Sequence, residues 1–343
     1  MSFRLHKELA EKNSGREKWG YSLSTGNSYT EGPRPKTGKK GHDWIMHEGS
    51  RAEVAASHNF RDGKGPAWLT RRRGDKIDII SEDATCAQVD PLRLSQFFLK
   101  ECQSRGVQLH QPAQAVSINK DEQGRLQSVR IRVKDASVSD IPCTHLLVTA
   151  GAWTPRVFKT LFPESSIELP ISQLAGHSIV IKSPRWSAEH EAKGCHAVFT
   201  TSPSGFSPEM FSRIGGELYV AGLNDSSIPL PEVATDAKID RESMDQLLQL
   251  CERMLGLDGA KSDLEVTREG LCFRPVTPKG TPILSRVSDE RLGIRAAEEG
   301  EGGVFVAAGH GPWGISLAPG TGRVMAEMML GQKMSARTGG LAL

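Results

Sequence analysis

Aromatic residues are sparse in this 343-residue chain, at 6%, and its charges nearly cancel, with 43 basic against 41 acidic side chains. A net charge of +2 offers no electrostatic footprint for nucleic acid or an anionic membrane surface. No apolar run approaches the ~18 residues that a membrane-spanning helix needs. There is no C-x-x-C pair among the six cysteines, Cys86, Cys102, Cys143, Cys195, Cys251 and Cys272. Their scatter suits free thiols in a reducing compartment, not a disulfide frame or a zinc site. The N-terminus, MSFRLHKELAEK, lacks the charged-then-apolar order of a secretory leader, and the final Leu341-Ala342-Leu343 is not a peroxisomal address. No internal repeat is present. These absences point to a cytoplasmic globular protein with no resident metal. With 38% apolar residues the chain can bury a sizeable core, as two domains or one large interleaved unit.

What is present begins with an amphipathic helix: Phe3, His6, Leu9 and Ala10 recur on one face, and the pattern stops near Asn13-Ser14-Gly15. Gly26 to Gly41, rich in glycine, proline and lysine, reads as a mobile surface loop. Gly74 to Ile80 alternates as a strand. Asp90-Pro91 then supplies a cap and a first-turn proline to a helix over Leu92 to Arg105, which Gly106 ends. Val107 to His110 reads as a short strand. Ala115 to Ile118 follows, with a hairpin turn at Asp121 to Arg125 leading into the alternating Leu126 to Val133. His145 to Thr149 is a continuous apolar strand that enters Ala150-Gly151-Ala152-Trp153, with Thr154 as cap and Pro155 in the first helical turn. From Ile167 to Cys272 the chain reads as a mostly antiparallel layer: strands over His177 to Lys182, Ala197 to Thr201 and Glu217 to Leu223, and one clear helix, Arg241 to Leu255.

The α/β character returns at Gly303 to Ala308 (GVFVAA), a buried strand followed by Gly309-His310-Gly311-Pro312-Trp313-Gly314 and a helix over Ala318 to Leu330. The turn satisfies G-x-G-x-x-G. A dinucleotide fingerprint, however, needs a second parallel strand and an acidic residue about 20 positions on, and the sequence given ends at Leu343 with neither. This turn therefore closes a sheet. Either it aims backbone N–H groups and a positive helix end at an anionic or electron-rich ligand, or it is a tight turn with no ligand.

Three stretches carry a resemblance: Leu147 to Thr154 (LVTAGAWT), Gly270 to Ile283 (GLCFRPVTPKGTPI) and Val306 to Arg323 (VAAGHGPWGISLAPGTGR). In this order and spacing the chain resembles the D-amino-acid oxidase superfamily of FAD-dependent oxidoreductases, which includes glycine and sarcosine oxidases. The resemblance implies an α/β fold with α+β elements: an incomplete FAD-binding Rossmann-like domain interleaved with a mostly antiparallel β substrate domain. Residues 1–20, 88–165 and 286–335 would form the first domain and 40–87 and 166–285 the second, with a loop at 21–39 and a tail at 336–343. The family's opening βαβ unit, with its diphosphate-binding glycines and ribose-binding glutamate, has no counterpart here, so a segment on the order of 60–80 residues is expected to be missing.

The resemblance further implies FAD as cofactor, a small amine or amino acid as substrate, and oxidation by hydride transfer to the flavin. The alternative is a non-catalytic or truncated member that no longer holds FAD tightly. Val116 would contact the adenine side, and Ala150, Gly151 and Trp153 the adenosine part. Gly309, Gly311, Gly314 and Ile315 would lie along the isoalloxazine edge, with His310 and Trp313 beside the ring. Arg274 would hold a substrate carboxylate in a bidentate fork. Cys272 with Thr277-Pro278 matches the spacing at which the sarcosine-oxidase branch bonds its flavin covalently, although Arg274 stands where that branch has tyrosine. A buried free thiol is the other reading of Cys272. No general base is identified.

Overall fold

The computed structural model describes residues 1–32, 49–51, 61–82, 85–134, 136–203, 206–257, 262–295 and 302–343. Part of the 26–41 stretch therefore lies outside the described residues. The chain begins with α1 (Ser2–Asn13), α2 (Gly15–Trp19), β1 (Ser22–Thr30), β2 (Arg61–Asp62), β3 (Lys76–Ser81), β4 (Ala87–Gln88) and α3 (Pro91–Gln103). It continues through β5 (Ala113–Lys120), β6 (Leu126–Val133), β7 (Val138–Pro142), β8 (His145–Val148), α4 (Thr154–Leu161), β9 (Ser172–Lys182), α5 (Ala188–Ala192), β10 (Cys195–Thr201), β11 (Glu209–Arg213) and β12 (Glu217–Asp225). It ends with α6 (Arg241–Leu255), β13 (Glu265–Val276), β14 (Ile283–Val287), α7 (Asp289–Leu292), β15 (Gly303–Ala308) and α8 (Gly314–Met329). Two compact units share these elements. One comprises Met1–Glu8, Glu101–Gln173 and Arg274–Leu343; the other comprises Leu9–Lys100 and Leu174–Phe273.

The second unit is built on a nine-stranded sheet in the order β13-β9-β12-β11-β10-β1-β3-β2, with β4 beside β1. The pairings of β9, β12, β11 and β10 are antiparallel, but β1 joins β10 in parallel. Met244, Leu247, Leu250, Cys251 and Met254 recur at helical spacing on α6 and are buried in one cluster with Ile179, Ile181, Val198, Met210 and Val220 of the strands. The Asp240 side chain caps this helix by accepting from Ser243 N–H at 2.8 Å.

One element of this unit differs from the sequence reading. The segment from Gly26 is no loop where it is described: β1 carries Gly26, Asn27, Ser28 and Tyr29 buried between β10 and β3. Small and polar residues give a weak strand signal. Pairing on both edges outweighs it, and Asn27 Nδ2 finds the Ala197 carbonyl at 3.3 Å. The helix at Pro91 does form, with Arg93 N–H donating to Asp90 Oδ1 at 3.0 Å.

The first unit holds two three-stranded sheets, β14-β15-β8 and β5-β6-β7. β15 is the centre of its sheet, antiparallel to β14 and parallel to β8. All six of its residues are buried. Val304, Val306 and Ala308 pack with Phe158, Leu161 and Ile167, while Phe305 and Ala307 pack with Leu284 and Met325. Burial on both faces is why this strand reads as an unbroken apolar run. Val107 to His110 is exposed irregular chain and not the short strand its composition suggests.

Candidate functional site

β8 and β15 are neighbours that run in the same direction, with Val148 level with Val306. Their carboxyl ends therefore emerge side by side, which is where open α/β sheets bind ligands. The two exits are built alike. After β8, Gly151 takes φ +55° and opens a 3₁₀ turn over Gly151–Trp153 that runs into α4. After β15, Gly309 takes φ +83° and Gly311 φ +54°, and a 3₁₀ turn over Gly311–Trp313 runs into α8. A left-handed backbone is costly for any residue with a Cβ, which explains glycine at these positions. Neither helix start receives a side-chain cap; at α4 the Thr154 N–H is taken by the Gly151 carbonyl and Pro155 has none to offer, so only α8 presents uncapped N–H groups in its first turn.

Both exits correct the sequence reading in detail. Thr154 is the first residue of α4 and Pro155 the second, because the 3₁₀ turn takes over the task of starting the helix; Trp153 occupies the cap position. α8 begins at Gly314, not Ala318, and runs through Pro319. The turn and helix are consequently continuous, and Gly314 and Ile315 are helical.

The closing turn lies against the end of β13 and the bend that follows it. A Cβ on Gly309 would come within 2.6 Å of Thr277 Cγ2, and one on Gly311 within 4.0 Å of the Pro275 carbonyl. Arg274, half-buried, immediately precedes that proline. Thr277 Oγ1 in turn donates to the Thr281 carbonyl at 2.7 Å, closing the bend before β14. His310 Nε2 lies 3.0 Å from Thr321 Oγ1, one imidazole tying the turn to the side of α8. Burial pushes the His310 imidazole below the ordinary histidine value, so it is neutral near pH 7. Trp313 and Ile315 remain exposed, at 38% and 45%.

The structure thus sets the Ala150–Trp153 and Gly309–Ile315 exits side by side, with Pro275, the residue after Arg274, against the second. Val116 is on β5 of the same unit, where the register slips between Ala115 and Ser117 and leaves Val116 as the unpaired residue of a bulge. Cys272 is exposed, not buried, and belongs to the other unit, where its Sγ lies 3.6 Å from the Gly176 carbonyl. Thr321 escaped the sequence reading, and Thr277 entered it only through the Cys272 spacing, not as a neighbour of the turn. Thr321 is visible as a partner of His310 only once α8 is known to start at Gly314.

The model of the DAO family, FAD dependent oxidoreductases, matches residues 33–328. The chain belongs to this family. It is 25% identical over 347 residues to a Schizosaccharomyces pombe protein whose name gives the general class oxidoreductase, covering 96% of this chain and 77% of the relative. A D-amino acid dehydrogenase of Xanthobacter autotrophicus is 24% identical over 222 residues, 65% of this chain and 44% of the relative. Among solved structures, iminodiacetate oxidase from Chelativorans sp. BNC1 superposes with a TM-score of 0.70 at 20% identity, covering 99% of this chain and 82% of that one. Glycine oxidase from Geobacillus kaustophilus gives 0.68 at 18%, covering 100% and 80%. At these identities the superpositions establish the fold, an α/β arrangement of DAO type.

FAD is the cofactor of this family, and the residues at the two strand exits fit part of it. The uncapped start of α8 suits an electron-rich ring edge. At Gly151 no atom lies within 4 Å of a would-be Cβ, so a planar group has room to approach the backbone. A strand, G-x-G-x-x-G turn and helix followed by a second parallel strand, the usual holder of the diphosphate, is not found among the described residues.

Proposed function

We propose that this FAD-dependent oxidoreductase oxidises a small amine or amino acid, with the first unit as the flavin-binding body and the second as the substrate domain. When bound, FAD accepts a hydride from the substrate carbon that carries nitrogen. The chain's own residues bind and orient. The N–H groups of Gly311, Gly314 and Ile315 would face the electron-rich edge of the ring, with His310 and Trp313 flanking it. Ala150, Gly151 and Trp153 would line the adenosine part and Val116 the adenine. Arg274 holds the substrate carboxylate through a two-pronged fork, which fixes the direction of the Cα–H bond. No side chain is needed to take a proton from carbon, in keeping with the lack of an assignable base. Six free cysteines suit a reducing compartment, and we place the protein in the cytoplasm.

The observation that carries this reading is the pair of like-built exits from parallel strands β8 and β15, with the Arg274-Pro275 segment against the second. The test is spectroscopic. The purified protein is expected to show flavin absorption, or to acquire it with added FAD, and to bleach when glycine, sarcosine or a D-amino acid is added without oxygen. A folded protein that takes up no FAD would overturn the reading and favour a non-catalytic family member.

A further inference from the structure

α8 contains a break in its own hydrogen bonding. In an α-helix the N–H of residue i+4 donates to the carbonyl of residue i. Pro319 has no N–H, so the Ile315 carbonyl loses its helical donor. The imidazole of His6, on α1, fills the gap: its Nε2 lies 2.8 Å from Ile315 O. A carbonyl can only accept, so this nitrogen carries the hydrogen.

The geometry around this bond shows a site built for it. His6 is buried at 8% exposure, and its other ring nitrogen, Nδ1, is enclosed with no hydrogen-bond partner among the described residues. An orphaned nitrogen is a cost that a packing role alone would not require. Ser2 lies one turn back on the same face of α1. Its Oγ donates to the Leu317 carbonyl at 3.2 Å and accepts from Gly320 N–H at 3.0 Å. Close approach is possible only because residue 320 is glycine: a Cβ there would lie 2.2 Å from Ser2 Oγ. One face of α1 thus bonds α8 from outside on either side of Pro319, at Ile315, Leu317 and Gly320.

We infer that His6 is a positioning residue for the first turn of α8: it supplies the donor that Pro319 withholds and so fixes the Trp313–Ile315 segment. Its consequence for flavin rests on the reading that this segment lies along the isoalloxazine edge. There, donors must be set before the reaction to be of use, and a first turn with an unheld carbonyl would fray.

A double-mutant cycle decides this, read by amide hydrogen exchange on the full chain without added ligand. His6→Ala is expected to speed exchange in peptides covering 311–318 about tenfold, the size that one ordinary hydrogen bond supports, and to leave peptides from β6 unchanged. His6→Gln, which keeps a donor, should restore exchange to within about threefold. Pro319→Ala returns the helical N–H, so in that background His6→Ala should have almost no effect. An equal effect in both backgrounds, or a rise spread over the whole chain, would overturn the inference; the Gln and Pro319→Ala variants keep it decidable where His6→Ala fails to fold. FAD titration separates the two proposals. Wild-type protein that binds no FAD counts against the proposed function while the exchange cycle still judges His6. FAD affinity unchanged by His6→Ala removes the flavin consequence alone.

Discussion

His310 Nε2 and Thr321 Oγ1 meet at 3.0 Å, joining the turn after β15 to the second turn of the helix that follows it. The imidazole is held neutral because burial disfavours its charged form. The sign of the pH dependence follows. Below the ordinary histidine value of about 6.5 the unfolded chain takes up a proton that the folded turn resists. The stabilisation is therefore complete above that value and is lost as pH falls beneath it. Melting temperatures taken from about pH 7.5 to 5.5 should fall less steeply for His310→Gln than for the wild type. Parallel slopes would show that His310 titrates alike in both states.

Gly309 and Gly151 occupy the same region of backbone space with opposite surroundings, and their alanine variants should separate. Both substitutions incur about 1–2 kcal/mol for a left-handed residue with a Cβ. Gly309→Ala adds an overlap at 2.6 Å with Thr277 Cγ2, while Gly151→Ala meets nothing within 4 Å. The overlap should raise the cost at Gly309 to roughly 2–5 kcal/mol. Urea unfolding of the two variants measures the gap. Equal destabilisation would mean that the turn shifts to make room.

Accessibility orders the thiols. Cys102 and Cys272 are exposed, whereas Cys195 and Cys251 are buried and burial pushes both thiols up. Timed alkylation read by mass spectrometry should modify Cys102 and Cys272 first, with Cys251 protected until the chain unfolds. Early labelling of Cys251 would contradict the packing of α6.

Much of the first unit was legible in the sequence because its strands are buried on both faces or alternate cleanly. Gly303 to Ala308 and Leu126 to Val133 match their strands residue for residue; in the second unit, Arg241 to Leu255 matches its helix. β1 was hidden, since a glycine, serine and asparagine run acquires its structure only from neighbours remote in sequence. The start of α8 was hidden for a related reason. A proline inside a helix normally argues for a later beginning. Here His6, more than 300 residues away in sequence, satisfies the carbonyl that the proline exposes. Glycines, the family motifs and Arg274 could be picked out in advance; the contacts of Thr277 and Thr321 that define the turn could not.

Arg274 offers the sharpest test of chemistry. A guanidinium binds a carboxylate through two parallel hydrogen bonds, and an ammonium cannot reproduce that fork. Arg274→Lys should therefore lower kcat/KM for an amino-acid substrate by about 10–100-fold, and Arg274→Ala by roughly 100–1,000-fold. The decisive comparison is the corresponding amine without a carboxyl group. It has nothing for the fork to hold, so both variants should oxidise it at close to the wild-type rate. Steady-state assays with a dye acceptor on the matched pair of substrates would show this. A variant that loses both activities alike would assign Arg274 to the architecture of β13 and not to substrate recognition.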